Sequence, residues 1–261
     1  MNIVVLIKQV PEIELVRVDE AAGKVTLPSG PGIVNPFDEY AIEEGLKIKE
    51  QLGGKVIALT LGSDRAQSAL RQALSVGVDE AVLVADDVFN GSDSQATARI
   101  LAAAVNKIGE VGLVLAGKQA IDDDAAVVPA ALAAYLDWPQ VLFVRKTETI
   151  SDGEAVFQRT TEEGHDSVKT SLPAVVSVVK EINEPRLPSL KGKMAAKKAP
   201  ITTWTNSDLN VDPSMVGANS PSRVITATPP AARQKGEIIE GETPEEIADK
   251  LVRKLKDDQA I

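Results

Sequence analysis

Three short segments of this chain carry residue types suited to holding a charged ligand. Lys8-Gln9-Val10-Pro11 follows the first apolar run, and Asn35-Pro36-Phe37-Asp38-Glu39 opens a helical pattern with Asn35 at its cap. The third, Gly117-Lys118-Gln119-Ala120-Ile121-Asp122-Asp123-Asp124, comes just after an apolar run that ends at Leu115. A glycine at a strand end lets a ligand approach the backbone, and the N-terminus of the next helix suits a phosphate. Three consecutive acids repel phosphate unless they turn outward or toward ribose hydroxyls; they also favour a helix N-terminus electrostatically. Neither a Walker A pattern nor G-x-G-x-x-G occurs. Residue chemistry alone therefore describes a nucleotide rim without a standard fingerprint.

What is missing narrows the chemistry further. The chain has no cysteine, which excludes a disulfide scaffold, a thiolate metal site and a cysteine nucleophile. Its one histidine, His165, leaves little for a zinc site or a Ser-His-Asp triad, and in the charged turn 162–166 it reads as a solvated residue. A net charge of −10 lacks the basic footprint of nucleic-acid binding. With 44% apolar and 25% charged residues in 261, the chain has globular composition and enough length to bury a core. No segment approaches the roughly 20 apolar residues needed to span a bilayer. Residues 1–8 lack the basic region and cleavage site of a signal peptide and read as a strand, so a soluble, cytoplasmic protein is expected.

The elements that must position the three segments are legible. Short β-branched runs at 3–7, 56–60, 81–85 and 111–115 alternate with helical spacing, as in Ala66, Ala69, Leu70, Ala73 and Leu74. A second helix, with Ile100, Leu101, Ala104 and Val105 on its apolar face, follows the cap-rich Asn90-Gly91-Ser92-Asp93-Ser94. Such alternation predicts an α/β fold of the Rossmann-like, doubly wound type, with a mainly parallel sheet covered on both faces. Ligands of such sheets bind outside the carboxyl ends of the strands, where the three segments fall.

After Pro139 the rhythm changes. Residues 140–149 and 155–161 are β-rich around Ser151-Asp152-Gly153, a hairpin signal, and 173–179 is a further apolar run. We expect antiparallel strands that extend the sheet. Five basic residues and no acids lie between Pro185 and Ser207, which reads either as a solvated helix face or as a docking segment for an acidic partner. Residues 205–242 are rich in Pro, Ser, Gly, Asn and Thr without periodicity, so they are expected to be disordered or to lie on another surface. Thr243, Pro244 and Glu246 then form a capping box for an amphipathic helix with Ile247, Ala248, Leu251, Val252 and Leu255 on its stripe. The expected division is an α/β domain over 1–182, a loop and basic helix over 183–200, and an arm over 201–261 ending in a helix at 243–257.

The segments Asn35-Pro36-Phe37, Gly117 to Asp124, Leu136-Asp137-Trp138-Pro139-Gln140 and Asn183-Glu184-Pro185-Arg186, in that order, resemble the β subunit of electron transfer flavoprotein. The resemblance runs from the first strand to the last helix, including Thr228-Pro229-Pro230. It implies a non-catalytic electron carrier subunit: the β chain pairs with an α subunit that holds FAD, and commonly buries AMP as a structural nucleotide. The heterodimer takes electrons from flavin dehydrogenases, such as the acyl-CoA dehydrogenases of fatty acid β-oxidation, to ETF:quinone oxidoreductase. By this resemblance the nucleotide contacts fall on Leu6, Asn35, Pro36, Phe37, Asp38, Leu61, Gly117, Lys118, Gln119, Ala120, Ile121, Asp122, Asp123 and Asp124. The partner-recognition loop is Asn183, Glu184, Pro185 and Arg186 with Leu190 as apolar anchor, and the arm wraps the α subunit.

Two departures qualify the resemblance. The family usually places polar phosphate-holding residues after the acidic run, whereas this chain has Ala125-Ala126-Val127-Val128-Pro129-Ala130. None of these side chains donates a hydrogen bond and Pro129 has no N–H, so AMP binding is expected to be weakened, altered or lost, with apolar packing filling the space. Relatives also place a tyrosine near Ile13, close to the flavin; here Phe37 is the aromatic expected to approach it, or to pack in the core at a helix start. Two alternatives belong to other classes. One is an electron-bifurcating subunit that binds a second FAD and oxidises NADH, against which the apolar run argues. The other is a stand-alone adenine-nucleotide-binding module, which leaves the arm and the 183–186 loop unexplained.

Overall fold

The apolar runs become parallel strands because side chains on both of their faces are apolar and can be covered from both sides. A computed structural model describes residues 1–231 and 236–261 and separates them into two compact units, Met1–Ala227 and Thr228–Ile261. In chain order the first unit opens with β1 (Asn2–Leu6), the short β2 (Gln9–Val10), a hairpin of β3 (Arg17–Asp19) and β4 (Lys24–Thr26), and β5 (Ile33–Val34). Then come α1 (Pro36–Leu52), β6 (Lys55–Leu61), α2 (Gln67–Val76), β7 (Glu80–Val84), α3 (Ser94–Ile108) and β8 (Val111–Gly117). Next are α4 (Val128–Leu136), β9 (Gln140–Ser151), β10 (Glu154–Thr160), β11 (His165–Ser171) and β12 (Ala174–Val178). The unit continues through α5 (Leu190–Lys198), β13 (Thr202–Trp204) and α6 (Asn206–Leu209).

Nine strands form one sheet in the order β11-β10-β9-β12-β8-β1-β6-β7-β13. Pairing is parallel from β9 across to β13 and antiparallel at β9-β10-β11. From β1 the chain winds outward through β6 and β7, then returns to the other side of β1 as β8. The β1–β8 crevice is thus the switch point where doubly wound sheets bind ligands. Ile3 and Val5 of β1 pack into the layer under α1 and α2, while Val4 and Leu6 pack into the layer under α3 and α4. The expected doubly wound fold and its antiparallel extension are both present.

Three expectations differ in detail. The chain after the hairpin does not pass straight from a turn to the last apolar run; it makes β11 first. Only Val168 and Thr170 of that strand turn inward, too few to read as alternation. His165 is accordingly the first residue of an edge strand, exposed beside Arg145 (Nη1 to Nδ1, 3.1 Å). The expected boundaries at 182 and 200 do not separate compact bodies, because the first unit continues to Ala227. Thr202–Trp204 add the ninth strand, and beyond them single apolar residues, Val211 and Val216, insert into the α3 layer. Residues inserted one at a time leave no period in the sequence.

The second unit holds α7 (Pro244–Asp257). Thr243 caps it, accepting the Glu246 N–H at 3.2 Å. The Glu246 carboxylate reaches one residue further back than a standard capping box and accepts the Glu242 N–H at 3.0 Å. Ile247, Leu251 and Val252 remain partly exposed on its stripe.

Candidate functional site

The carboxyl end of β1, the start of α1 and the carboxyl end of β8 are tied together by two buried side chains. The Asp38 carboxylate accepts the Lys8 N–H at 2.8 Å, the Asn35 amide at 2.9 Å and the Gly117 N–H at 3.2 Å. Burial pushes its pKa up to about 7, and the three N–H donors limit the rise. Asn35 stands at the N-cap position but its side chain does not cap α1. Instead its amide donates to the Gln119 carbonyl at 2.8 Å and its oxygen accepts the Ile121 N–H at 3.2 Å, which fixes the loop after β8. Gly117 is required by contact: a Cβ there would lie 2.5 Å from Asp38 Oδ1 and 2.7 Å from the Phe37 backbone carbon.

The acids of that loop have partners of their own. Lys8 Nζ meets Asp122 at 2.8 Å and Asp123 at 3.1 Å, and Gln119 hydrogen-bonds Asp124. Burial opposes the Lys8 charge, yet Asp122 and Asp123 outweigh it and hold its pKa above the ordinary value. The repulsion that three adjacent acids would exert on a phosphate is thereby reduced. Lys118 lies over the half-buried Phe37 ring, 5.1 Å from its centroid.

Beside this hub a cavity of about 870 Å³ opens at the rim. Of the residues expected to contact nucleotide, Leu6, Asn35, Asp38 and Leu61 line it, as do Gly117, Gln119, Ala120 and Asp123. Pro36, Phe37, Lys118, Ile121, Asp122 and Asp124 lie outside its lining. Residues 125–130 were expected to fill the space with apolar packing; residues 125–129 form a wall of the open cavity instead. α4 starts only at Val128, so the preceding residues run along the rim rather than into the core.

The sequence reading missed the opposite wall. Ser92, Ser94 and Thr97 at the start of α3 line the cavity, together with Arg223. The cap-rich segment before α3 follows the carboxyl end of β7, so the rim rule that picked out the loops after β1 and β8 applies to it equally. Nothing flagged Arg223, which lies in the aperiodic stretch. The Asp93 carboxylate caps α3 by accepting the Ala96 N–H at 2.9 Å, and accepts the Ser222 N–H at 2.9 Å.

The loop at 183–186 turns mostly inward. Asn183 donates to the Tyr40 carbonyl at 3.1 Å and to Glu44 at 3.0 Å. The Arg186 guanidinium grips the buried Glu43 with two bonds, 2.8 and 3.0 Å, and reaches Glu50 at 2.7 Å. Asn183 and Arg186 therefore clamp the loop to α1, while Glu184 is exposed and Pro185 half-buried. Leu190, at the first turn of α5, is 77% exposed, and Leu187 and Met194 are exposed nearby. α5 is seated tightly enough to hold Leu190 outward: a Cβ on Gly192 would lie 2.2 Å from the Ser75 carbonyl oxygen of α2.

The electron transfer flavoprotein domain model matches residues 24–209. The chain is 41% identical to the caffeyl-CoA reductase-Etf complex subunit CarD of Acetobacterium woodii, over all of both chains. It is 39% identical to the electron transfer flavoprotein subunit beta of Thermoanaerobacterium thermosaccharolyticum, again over all of both. Against the Mycobacterium tuberculosis (strain H37Rv) subunit beta it is 41% identical, covering 96% of this chain and 97% of that one. With a family match over most of its length and β subunits as full-length relatives, the chain belongs to the electron transfer flavoprotein family, as a β subunit of a flavin-linked electron carrier.

Proposed function

We propose that this chain is the β half of a heterodimer whose α subunit holds FAD, and that its rim cavity binds AMP. In this reading the carrier works in the cytoplasm, taking electrons from flavin dehydrogenases, acyl-CoA dehydrogenases among them, and delivering them to ETF:quinone oxidoreductase. One observation carries it: Gly117, Gln119, Ala120 and Asp123 wall a cavity at the switch point of the sheet. Leu6, Leu61 and Leu101 offer an apolar surface, and Ser92, Ser94, Thr97 and Arg223 converge from the opposite wall as donors. The residues present fit an adenine nucleotide, with the phosphate donors displaced from residues 125–130 to the α3 side.

The bound FAD supplies the electron acceptance and release. This chain's own residues bind, orient and exclude water. Phe37, backed by Lys118, is the aromatic assigned to the flavin side. Leu190 is the anchor that enters a dehydrogenase pocket, and the lysines of α5 steer the encounter. Purifying the chain with its co-expressed neighbouring gene product tests the reading. One FAD and one AMP per heterodimer are expected; a flavin-free monomer would overturn it.

A second reading has a specific observation behind it. A volume of about 870 Å³ lies toward the upper end of the roughly 300–1,000 Å³ of small-molecule sites, large for a mononucleotide. An FAD in this cavity would make the complex electron-bifurcating, with NADH as donor. Two FAD per heterodimer and rapid bleaching by NADH would decide for it.

A further inference from the structure

The segment between Ser222 and Ala227 runs from the cap of α3 to the tip of the β3–β4 hairpin. At one end the Asp93 carboxylate accepts the Ser222 N–H at 2.9 Å, and the Ser220 hydroxyl accepts the Asp93 N–H at 3.2 Å. The preceding turn is set deep, with the Gly217 N–H donating to Ser92 Oγ at 2.8 Å. At the other end the Ala227 N–H donates to the Gly23 carbonyl at 2.8 Å. Along the way Ser222, Arg223 and Val224 wall the cavity. Between the anchors the chain has no regular structure, and Val224 and Ile225 are 86% and 79% exposed. The α3 end is held by several bonds and a buried turn. Among the described residues the hairpin end rests on one backbone bond and the close seating of Thr226 on Gly23, where an added Cβ would lie 2.5 Å from Thr226 Oγ1.

We infer that residues 222–227 are a strap over the cavity, hinged at the α3 cap and latched at Gly23, and that the latch must open for a nucleotide to enter or leave. The inference rests on the reading of the cavity as a nucleotide site. An anchor of several bonds facing an anchor of one makes the hairpin end the first to release. Arg223 places a positive charge on the inner side of the strap, so a bound phosphate favours the latched form over the open one. The rate of exchange is thereby set by Gly23 and Thr226, neither of which lines the cavity.

The absence of native cysteine gives a clean test. A Cβ at Gly23 would lie 3.5 Å from Thr226 Cβ, within the span of a disulfide. The whole chain carrying G23C/T226C would be loaded with AMP and, in parallel, with FAD, and release followed before and after reduction. Release from the oxidised form is expected to be at least tenfold slower, and reduction should restore it. Equal rates in the two forms overturn the strap and leave the nucleotide site standing. Entry into the oxidised form is expected to be blocked; failure of both nucleotides to enter the reduced form overturns the site, and the strap with it. Hydrogen exchange on the unsubstituted chain is independent of whether the variant folds. Saturating nucleotide should slow exchange of the Ala227 amide at least tenfold, and no change overturns the proposal.

Discussion

α1 buries carboxylates in two places and satisfies them differently. Near its start, Asp38 hydrogen-bonds neutral N–H donors, from Lys8, Asn35 and Gly117, with the Lys8 charge a lesser influence. One turn and a half further on, Glu43 meets the full positive charge of Arg186 in a two-bond grip. A dipole steadies a buried anion less than a cation does, and at the rim burial pushes the Asp38 pKa up. The rim braces the loops after β1 and β8, while the clamp holds the 183–186 loop on α1.

The sharpest break in that comparison is pH. Asp38 has a folded pKa of about 7 against an ordinary 3.8, so the folded chain holds this proton more tightly than the unfolded one. Its contribution is fully present below pH 4 and is lost as pH rises through about 7, by up to roughly 4 kcal/mol. D38N should remove that downward slope from denaturation curves taken across the window; an unchanged slope would refute the assignment. Next in size, G117A forces a Cβ against Asp38 and the Phe37 backbone, and should destabilise by roughly 3 kcal/mol in urea unfolding. A loss below about 0.5 kcal/mol would mean that the hub relaxes freely.

The clamp should respond less, because the Arg186 side chain is one-third exposed. R186A is expected to cost about 1–3 kcal/mol, and a double-mutant cycle with E43Q should recover a coupling energy of about 1 kcal/mol. Additive single mutants would show that the grip contributes no stability. The smallest effect on stability belongs to L190A, within about 0.5 kcal/mol for so exposed a side chain. That substitution should still slow electron transfer from a cognate dehydrogenase about tenfold, as loss of a central apolar anchor does, with FAD content unchanged. Lost FAD with unchanged transfer per flavin would unseat Leu190 as the anchor.

Much of the rim was legible and the opposite wall was not, for a physical reason. Asn35, Asp38 and Gly117 sit at a strand end and a helix start, positions that periodicity and capping chemistry mark, whereas Leu6 was implied only by the family resemblance. Asn35 was marked as a helix cap, yet its side chain braces the loop after β8 and leaves α1 uncapped. Arg223 reaches the cavity from far along the chain, through a segment whose apolar residues insert singly. Residues 125–130 were read as filler because their side chains lack donors; only the late start of α4 puts 125–129 on the cavity wall.

By itself the sequence determined the alternation of strands and helices, the doubly wound sheet and the family, since these follow from local periodicity and contiguous motifs. Tertiary structure alone decided that the 183–186 loop faces inward on α1, that the aperiodic stretch up to Ala227 belongs to the first unit, and that the cavity stays open. Each of those depends on which distant surfaces meet, and a lone carboxylate or arginine does not declare its partner until the sheet has brought it within hydrogen-bonding reach.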